Sequence, residues 1–374
     1  MPTAYVTGAT GLLGLNLLEI LLARGFHVVA AHRLLRMRRL LYLPAMTDSL
    51  LDTALTRALG IEVPMICGAM YPCSNPELVA AVSAAGGIGV IQPISMTFVH
   101  KHDLREGIRL IRSLTDKPVG FNAIVEQSSK VYEDRMKKWV DVALEEDVRF
   151  FVTALGKPRW VVDTVHAVGG VVYHDVTDRR WAERALESGV DGLICVNSRA
   201  GGHAGQKTPE ALMDELGDLG VPLVCAGGVG APEDFVRALS LGYAGVQMGT
   251  RFIATTECKT HPDYKAAIAK AREEDIVLTE RISGVPVAVI NTPYIAKVGT
   301  KAGFITRRLL RHPRAKHWVR TYFTLKSVFE LKSASLEGVS YRDYFQAGKS
   351  VAGIHSTEPA GDIVRRFARA AKAS

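Results

Sequence analysis

From residue 64 onward, short apolar runs alternate with amphipathic stretches through eight repeats, and this rhythm constrains the fold more than any other feature. The runs are 65–70, 88–92, 119–125, 150–155, 171–176, 192–196, 223–226 and 245–248. Runs that are apolar throughout suit strands covered on both faces, as in a parallel sheet. The stretches 76–85, 103–114, 132–146, 159–168, 179–188, 209–219, 232–241 and 262–272 carry helical spacing. Pro76, Pro209 and Pro232 each stand where a helix begins, at the position whose N–H needs no partner. Gly86, Gly169, Gly189, Gly220 and Gly242 stand where helices end. Eight βα units in strict alternation predict a (β/α)8 TIM barrel over residues 47–282. An open doubly wound sheet is the alternative. The barrel is preferred because eight units is its count and because its phosphate-type loops fall after units seven and eight.

The flanks follow other patterns. Residues 1–46 read as a Rossmann-like βαβ fragment and linker. A strand at 4–7 leads into Thr7-Gly8-Ala9-Thr10-Gly11-Leu12-Leu13-Gly14, a helix at 15–24 and a second strand at 27–31. The glycine turn resembles the opening of short-chain dehydrogenases, where it approaches a pyrophosphate at a helix N-terminus, and Arg33 would suit a 2′-phosphate. A dinucleotide crevice needs further parallel strands, but here a basic-apolar helix at 34–43 is expected instead. Residues 283–374 read as a basic, helical extension packed on the barrel. It has an apolar run at 282–290 and helices at 306–311 and 319–331.

Ten Lys and Arg against one acidic residue lie between Lys297 and Lys332, within a net charge of +8. Without interleaved aromatics or a nucleic-acid motif, the run reads as a solvated face rather than a nucleic-acid surface. No apolar run approaches the ~18 residues of a membrane span. The five cysteines are odd in number and form no C-x-x-C pair, which argues against a disulfide framework or zinc ribbon and for a reducing cytoplasm. No metal site is expected.

Chemistry in a barrel gathers at the C-terminal strand ends. After the seventh run comes Ala226-Gly227-Gly228-Val229-Gly230. After the eighth, which carries Gln247, comes Met248-Gly249-Thr250-Arg251-Phe252. Adjacent glycines expose backbone N–H groups, and helix N-termini add positive potential, so the pair of loops predicts a phosphate site. After the sixth run, His203 stands within Ala200-Gly201-Gly202-His203-Ala204-Gly205. Small neighbours let a flat ligand approach the backbone while one imidazole, titrating near neutrality, projects over it. Gly68-Ala69-Met70 ends the first run, with room for a ring system and a soft thioether contact. Asn122, in the third run, offers an amide donor and acceptor.

These segments, with Pro118-Val119-Gly120-Phe121-Asn122, His261-Pro262-x-Tyr264-Lys265 and Gln346-Ala347-Gly348, make the chain resemble the nitronate monooxygenases, formerly 2-nitropropane dioxygenases. The resemblance covers the chain from about residue 47 to the C-terminal region. It implies non-covalent FMN, with Gly227, Gly228, Gly249 and Thr250 on the phosphate. Gly68, Ala69, Met70, Asn122, Gly201, Gly202 and Gln247 would lie along the flavin, and His203 would be the active-site histidine. It also implies a flavoprotein oxidoreductase that takes an alkyl nitronate or nitroalkane with O2 and yields a carbonyl compound and nitrite. A homodimer is compatible with this reading. Flavin enoyl-acyl-carrier-protein reductases and NAD(P)H:quinone reductases share the barrel and remain alternatives. So does a barrel that has lost its cofactor and serves only as a binding module.

Overall fold

A computed structural model describes residues 3–7, 27–31, 41–42, 49–126, 130–281, 286–301, 332–333, 335–336 and 344–374. The chain divides into two compact units, Met1–Leu50 and Leu51–Ser374.

In the first unit, β1 (Thr3–Thr7) and β2 (His27–Ala31) pair in parallel, Thr3 opposite His27 and Thr7 opposite Ala31. This is the strand pair expected of a βαβ fragment. The expected helix at 15–24 and the glycine turn after Thr7 lie outside the described residues. The helix expected over 34–43 needs a correction at its end. Leu41–Tyr42 forms a short strand, β3, antiparallel to β2, because the open edge of β2 offers a row of backbone partners to a strand laid beside it.

The second unit is the closed parallel barrel. Its strands are β4 (Met65–Cys67), β5 (Ile88–Ile91), β6 (Gly120–Ile124), β7 (Phe150–Ala154), β8 (Val171–Val176), β9 (Gly192–Val196), β10 (Leu223–Ala226) and β11 (Gly245–Met248). Each pairs with the next, and β11 closes on β4 through Gln247 opposite Ile66. The last four match the sequence reading residue for residue, and the first four are shorter by one to three residues. The first shortens most. Gly68 still donates to the Met248 carbonyl at 3.0 Å, but the chain then turns, with Ser74 Oγ accepting from the Met70 N–H at 2.9 Å.

Ile66, Ile88, Val90, Phe150, Val152, Tyr173, Ile194, Val224 and Ala226 point inward and form one buried cluster. Below them the Ala54–Leu59 helix closes the barrel's N-terminal end. Thr53 caps that helix and donates to the Ala244 carbonyl at 2.6 Å, while Leu55 enters the cluster. The floor is therefore sealed and the opposite end is free for chemistry.

Beyond the barrel, β12 (Ile276–Thr279) and β13 (Val287–Ile290) form an antiparallel pair. The sequence reading had one apolar run at 282–290 and no partner for it. Residues 282–285 lie outside the described residues, as do the helices expected at 306–311 and 319–331. A long helix, Ala360–Lys372, packs on the Pro232–Ser240 and Pro76–Ala84 helices, with Phe367 against Phe235 at 5.9 Å between ring centres. Among the described residues no helix is long and apolar enough to cross a membrane.

Candidate functional site at the barrel mouth

Side chains alternate along a strand, so residues two apart share a face. Following the buried inner face toward the C-terminal ends, exposure appears abruptly. Ile124, Ala154, Asp175, Val196 and Gln247 are partly open, while the inward residues one step below them on the same strands are buried. These residues line an open bowl.

Several segments predicted to be functional converge on its rim. Gly68 and Gln247 are neighbours across the β4–β11 seam, and a Cβ on Gly68 would fall 2.9 Å from Gln247 Cγ. Met70 lies over Gly249, whose added Cβ would sit 3.4 Å from Met70 Sδ. Ala69 packs at the edge of the inner cluster. Thr250 Oγ1 accepts the Gly348 N–H at 3.0 Å and lies 3.3 Å from where Gly201 would carry a Cβ. Gly68, Met70, Gln247, Gly249, Thr250 and Gly201 are thus contiguous. Asn122 stands apart, on the inner face of β6, with its Nδ2 donating to the Val152 carbonyl at 3.3 Å.

The Gly227-Gly228 loop is strained in a way that only glycine accepts easily. Both residues have positive φ, +117° and +82°. Asn197, fully buried at the end of β9, holds the loop by donating from Nδ2 to the Gly227 carbonyl at 2.9 Å. Asp234 Oδ2 already caps the Pro232–Ser240 helix by accepting from Gly230 and Ala231, both at 3.0 Å. A bound phosphate would therefore use the glycine amides before and after this cap rather than the helix start itself.

His203 projects from the loop after β9. Gly202 sets its direction through a φ of +69° and a bridge in which Ala288 of β13 donates to the Gly202 carbonyl at 2.8 Å. The ring is accessible at the mouth, yet the surrounding protein disfavours the imidazolium and lowers the His203 pKa. The neutral imidazole is thereby favoured. A cleft of about 540 Å³ opens on the far side of this loop, but Arg180 and Lys207 in its wall are balanced by Asp178 and Glu215, so it has no anion-selective charge.

Sequence reasoning assigned no role to five residues. Arg199 forms a two-pronged ion pair with Glu273, both contacts at 2.8 Å, and Lys349 joins Glu273 at 3.3 Å. These, with buried Asn197, brace the His203 and Gly227 loops against the 346–350 segment. The fifth overlooked residue, Asp175, lies inside the bowl. Among the described residues no group of three or more metal-ligating side chains is found.

The bowl suits a flavin on its own evidence. Two glycine loops form a cradle that Cβ atoms would fill, small residues line one wall, and Gln247 Oε1 is buried without a partner. A buried amide oxygen left unsatisfied is costly unless a ligand donates to it, which an isoalloxazine N–H can.

A family model described as nitronate monooxygenase matches residues 52–366. A Rhodococcus jostii protein named (3aS,4S,5R,7aS)-5-hydroxy-7a-methyl-1-oxo-octahydro-1H-indene-4-carboxyl-CoA dehydrogenase is 30% identical over 248 residues, 66% of this chain and 68% of its own. A Pseudomonas aeruginosa nitronate monooxygenase is 29% identical over 272 residues, 61% of this chain and 77% of its own. The structure of FabK from Thermotoga maritima superposes with a TM-score of 0.72 at 31% identity, covering 86% of this chain and 96% of that one.

Proposed function

The chain belongs to the nitronate monooxygenase family and is an oxidoreductase, and from that premise we propose that it binds FMN in the bowl and oxidises alkyl nitronates with O2 to carbonyl compounds and nitrite. The observation that carries the reading is the position of His203, on the loop after β9 that packs against the Gly227-Gly228 loop and follows Gly202 with its φ of +69°. Bound FMN supplies the electron acceptor that no side chain here can provide. In this proposal Gly227, Gly228, Gly249 and Thr250 hold its phosphate. Gly68, Ala69, Met70, Asn122, Gly201, Gly202 and Gln247 line its ring. With a neutral nitroalkane, His203 Nε2 or Nδ1 takes the Cα proton. With a nitronate already ionised, the ring's remaining N–H donates to a nitro oxygen and holds the substrate in place.

A second reading keeps the same residues and changes the substrate to an acyl thioester. It is favoured by the Rhodococcus relative, whose name specifies a carboxyl-CoA. The same neutral base would then remove a hydroxyl or Cα proton.

An absorbance spectrum followed by anaerobic titration separates these. A flavin spectrum bleached by propyl-1-nitronate alone supports the first reading. Bleaching by a 3-hydroxyacyl-CoA but not by nitronate supports the second. Bleaching only by NAD(P)H points to the reductases, and a protein that neither carries nor takes up flavin overturns the proposal.

A further inference from the structure

Asp175 is the one carboxyl group on the inner face of the described barrel strands. It follows Tyr173 by two residues on β8, and Tyr173 is part of the buried inner cluster with its ring 5.5 Å from that of Phe150. Asp175 therefore points into the bowl at its floor. His174, between them, points to the opposite face, where Nδ1 meets Thr153 Oγ1 at 2.8 Å. Asp175 Oδ1 is enclosed and has no hydrogen-bond partner. Among the described residues no basic side chain offsets the effect of burial on the carboxyl. Burial alone raises its pKa, to about 7, and its charge adds to the rise that burial gives the Cys195 thiol on neighbouring β9. Other titratable groups stand on the loops and helix start at this end of the barrel: Glu126 after β6, Asp178 and Arg180 after β8, and His203 and Lys207 after β9. An unpaired carboxylate in such a place is unfavourable, whereas a neutral carboxylic acid is a strong hydrogen-bond donor.

We propose that Asp175 is a cofactor-positioning residue, donating from its protonated carboxyl to an acceptor atom on the polar edge of the flavin ring. The inference rests on the FMN reading above. Gln247, across the bowl, offers an acceptor with no partner, so the two side chains would present complementary groups, one accepting and one donating. A ring with alternating N–H and C=O groups matches both. Deprotonation of Asp175 would remove the donor and place a negative charge against an electron-rich edge, so FMN affinity is expected to fall as pH rises.

The test is equilibrium binding of FMN to flavin-stripped protein between pH 6 and pH 9, followed by fluorescence quenching, for the native chain and for Asp175→Asn and Asp175→Leu. Riboflavin in parallel removes the titration of the FMN phosphate. For the native chain the dissociation constant should rise by up to about tenfold per pH unit above the Asp175 transition. Asp175→Asn, neutral and still a donor, should bind as the native chain does at pH 6 and lose this dependence. Asp175→Leu should bind about tenfold or more weakly at every pH. A protonated-carboxyl infrared band in the native chain at pH 7 that shifts on adding FMN, and is missing from Asp175→Asn, gives the same answer without the Leu variant. An unchanged pH dependence in Asp175→Asn, or weaker binding by that variant at pH 6, overturns the inference while leaving the FMN reading standing. Failure of the native chain to bind FMN at any pH overturns both.

Discussion

Gly201 and Gly348 pass each other backbone to backbone. A Cβ on Gly348 would fall 2.5 Å from the Gly201 nitrogen, and one on Gly201 would fall 2.8 Å from the Gly348 nitrogen. Residues nearly 150 apart in the chain thus form one wall of the bowl, fastened by the Gly348 N–H to Thr250 Oγ1. Because the close atoms are backbone, neither side can yield as a flexible side chain would. Gly348→Ala should destabilise the protein by about 1–3 kcal/mol, the usual cost of overpacking, and weaken FMN retention. Gly217→Ala is the control: its Cβ would meet only Met213 Sδ at 3.5 Å. Urea unfolding and FMN release rates measure both. Equal behaviour of the two variants would show that the 346–350 segment is not part of the wall.

The phosphate assignment gives a sharper test. Gly228 has φ +82°, and its Cβ would sit 2.6 Å from Arg199 Nε. Gly228→Glu would also set a carboxylate among the amides meant for phosphate. The native protein should prefer FMN to riboflavin, and the variant should lose that preference along with most of its FMN affinity. A variant that still prefers FMN would place the phosphate elsewhere.

His203→Asn keeps a polar side chain but removes the base. Turnover of a neutral nitroalkane should fall by roughly 10²-fold or more, with smaller loss for a preformed nitronate. The protein packed around the His203 loop disfavours the imidazolium and lowers its pKa, so the base remains neutral to lower pH than a free imidazole. In the native enzyme, kcat/KM for the neutral nitroalkane should hold level through neutrality and decline only on the acid side of the ordinary histidine transition. A decline beginning above pH 7 would assign the proton transfer to another group.

How much of this was legible depended on what each residue's signal competes with. The barrel strands were readable because burial on both faces leaves nothing but apolar residues, as in Gly192–Val196. The glycine loops and His203 were readable because they interrupt that pattern at strand ends. Asp175 was hidden by its setting. It sits within a run otherwise read as a core strand, and only its inward register, which needs Tyr173 as a reference, reveals it. Arg199 and Glu273 were invisible for a different reason: their pairing spans 74 positions, and charged residues that far apart carry no local signature. The Ala360–Lys372 helix was detectable in principle. Ile363, Val364, Phe367, Ala368 and Ala371 repeat at helical spacing, but within the extension read as packed on the barrel helices were assigned only at 306–311 and 319–331. The Ile276–Thr279 strand lacks even that, since its partner pairs antiparallel outside the barrel's rhythm.

That C-terminal helix is anchored to the end of β11 by an ion pair with its own pH signature. Arg251, 1% exposed, meets Glu358, which Arg366 also holds at 3.1 Å. Hydrogen bonding from Arg366, with the charges of Arg251 and Arg366, keeps the Glu358 carboxyl below its ordinary range. A depressed carboxyl contributes stability above its unfolded pKa, about 4.3 for Glu, and loses it as pH falls toward the folded value. The native protein should therefore lose melting temperature on acidification from pH 5 downward, and Glu358→Gln should show a shallower loss. Arg251→Ala leaves Glu358 without its buried partner and empties a fully packed site, so it should cost about 3–5 kcal/mol at neutral pH. Calorimetric scans from pH 3 to pH 8 on the three proteins decide the matter: parallel curves for native and Glu358→Gln would mean that this ion pair does not fasten the helix.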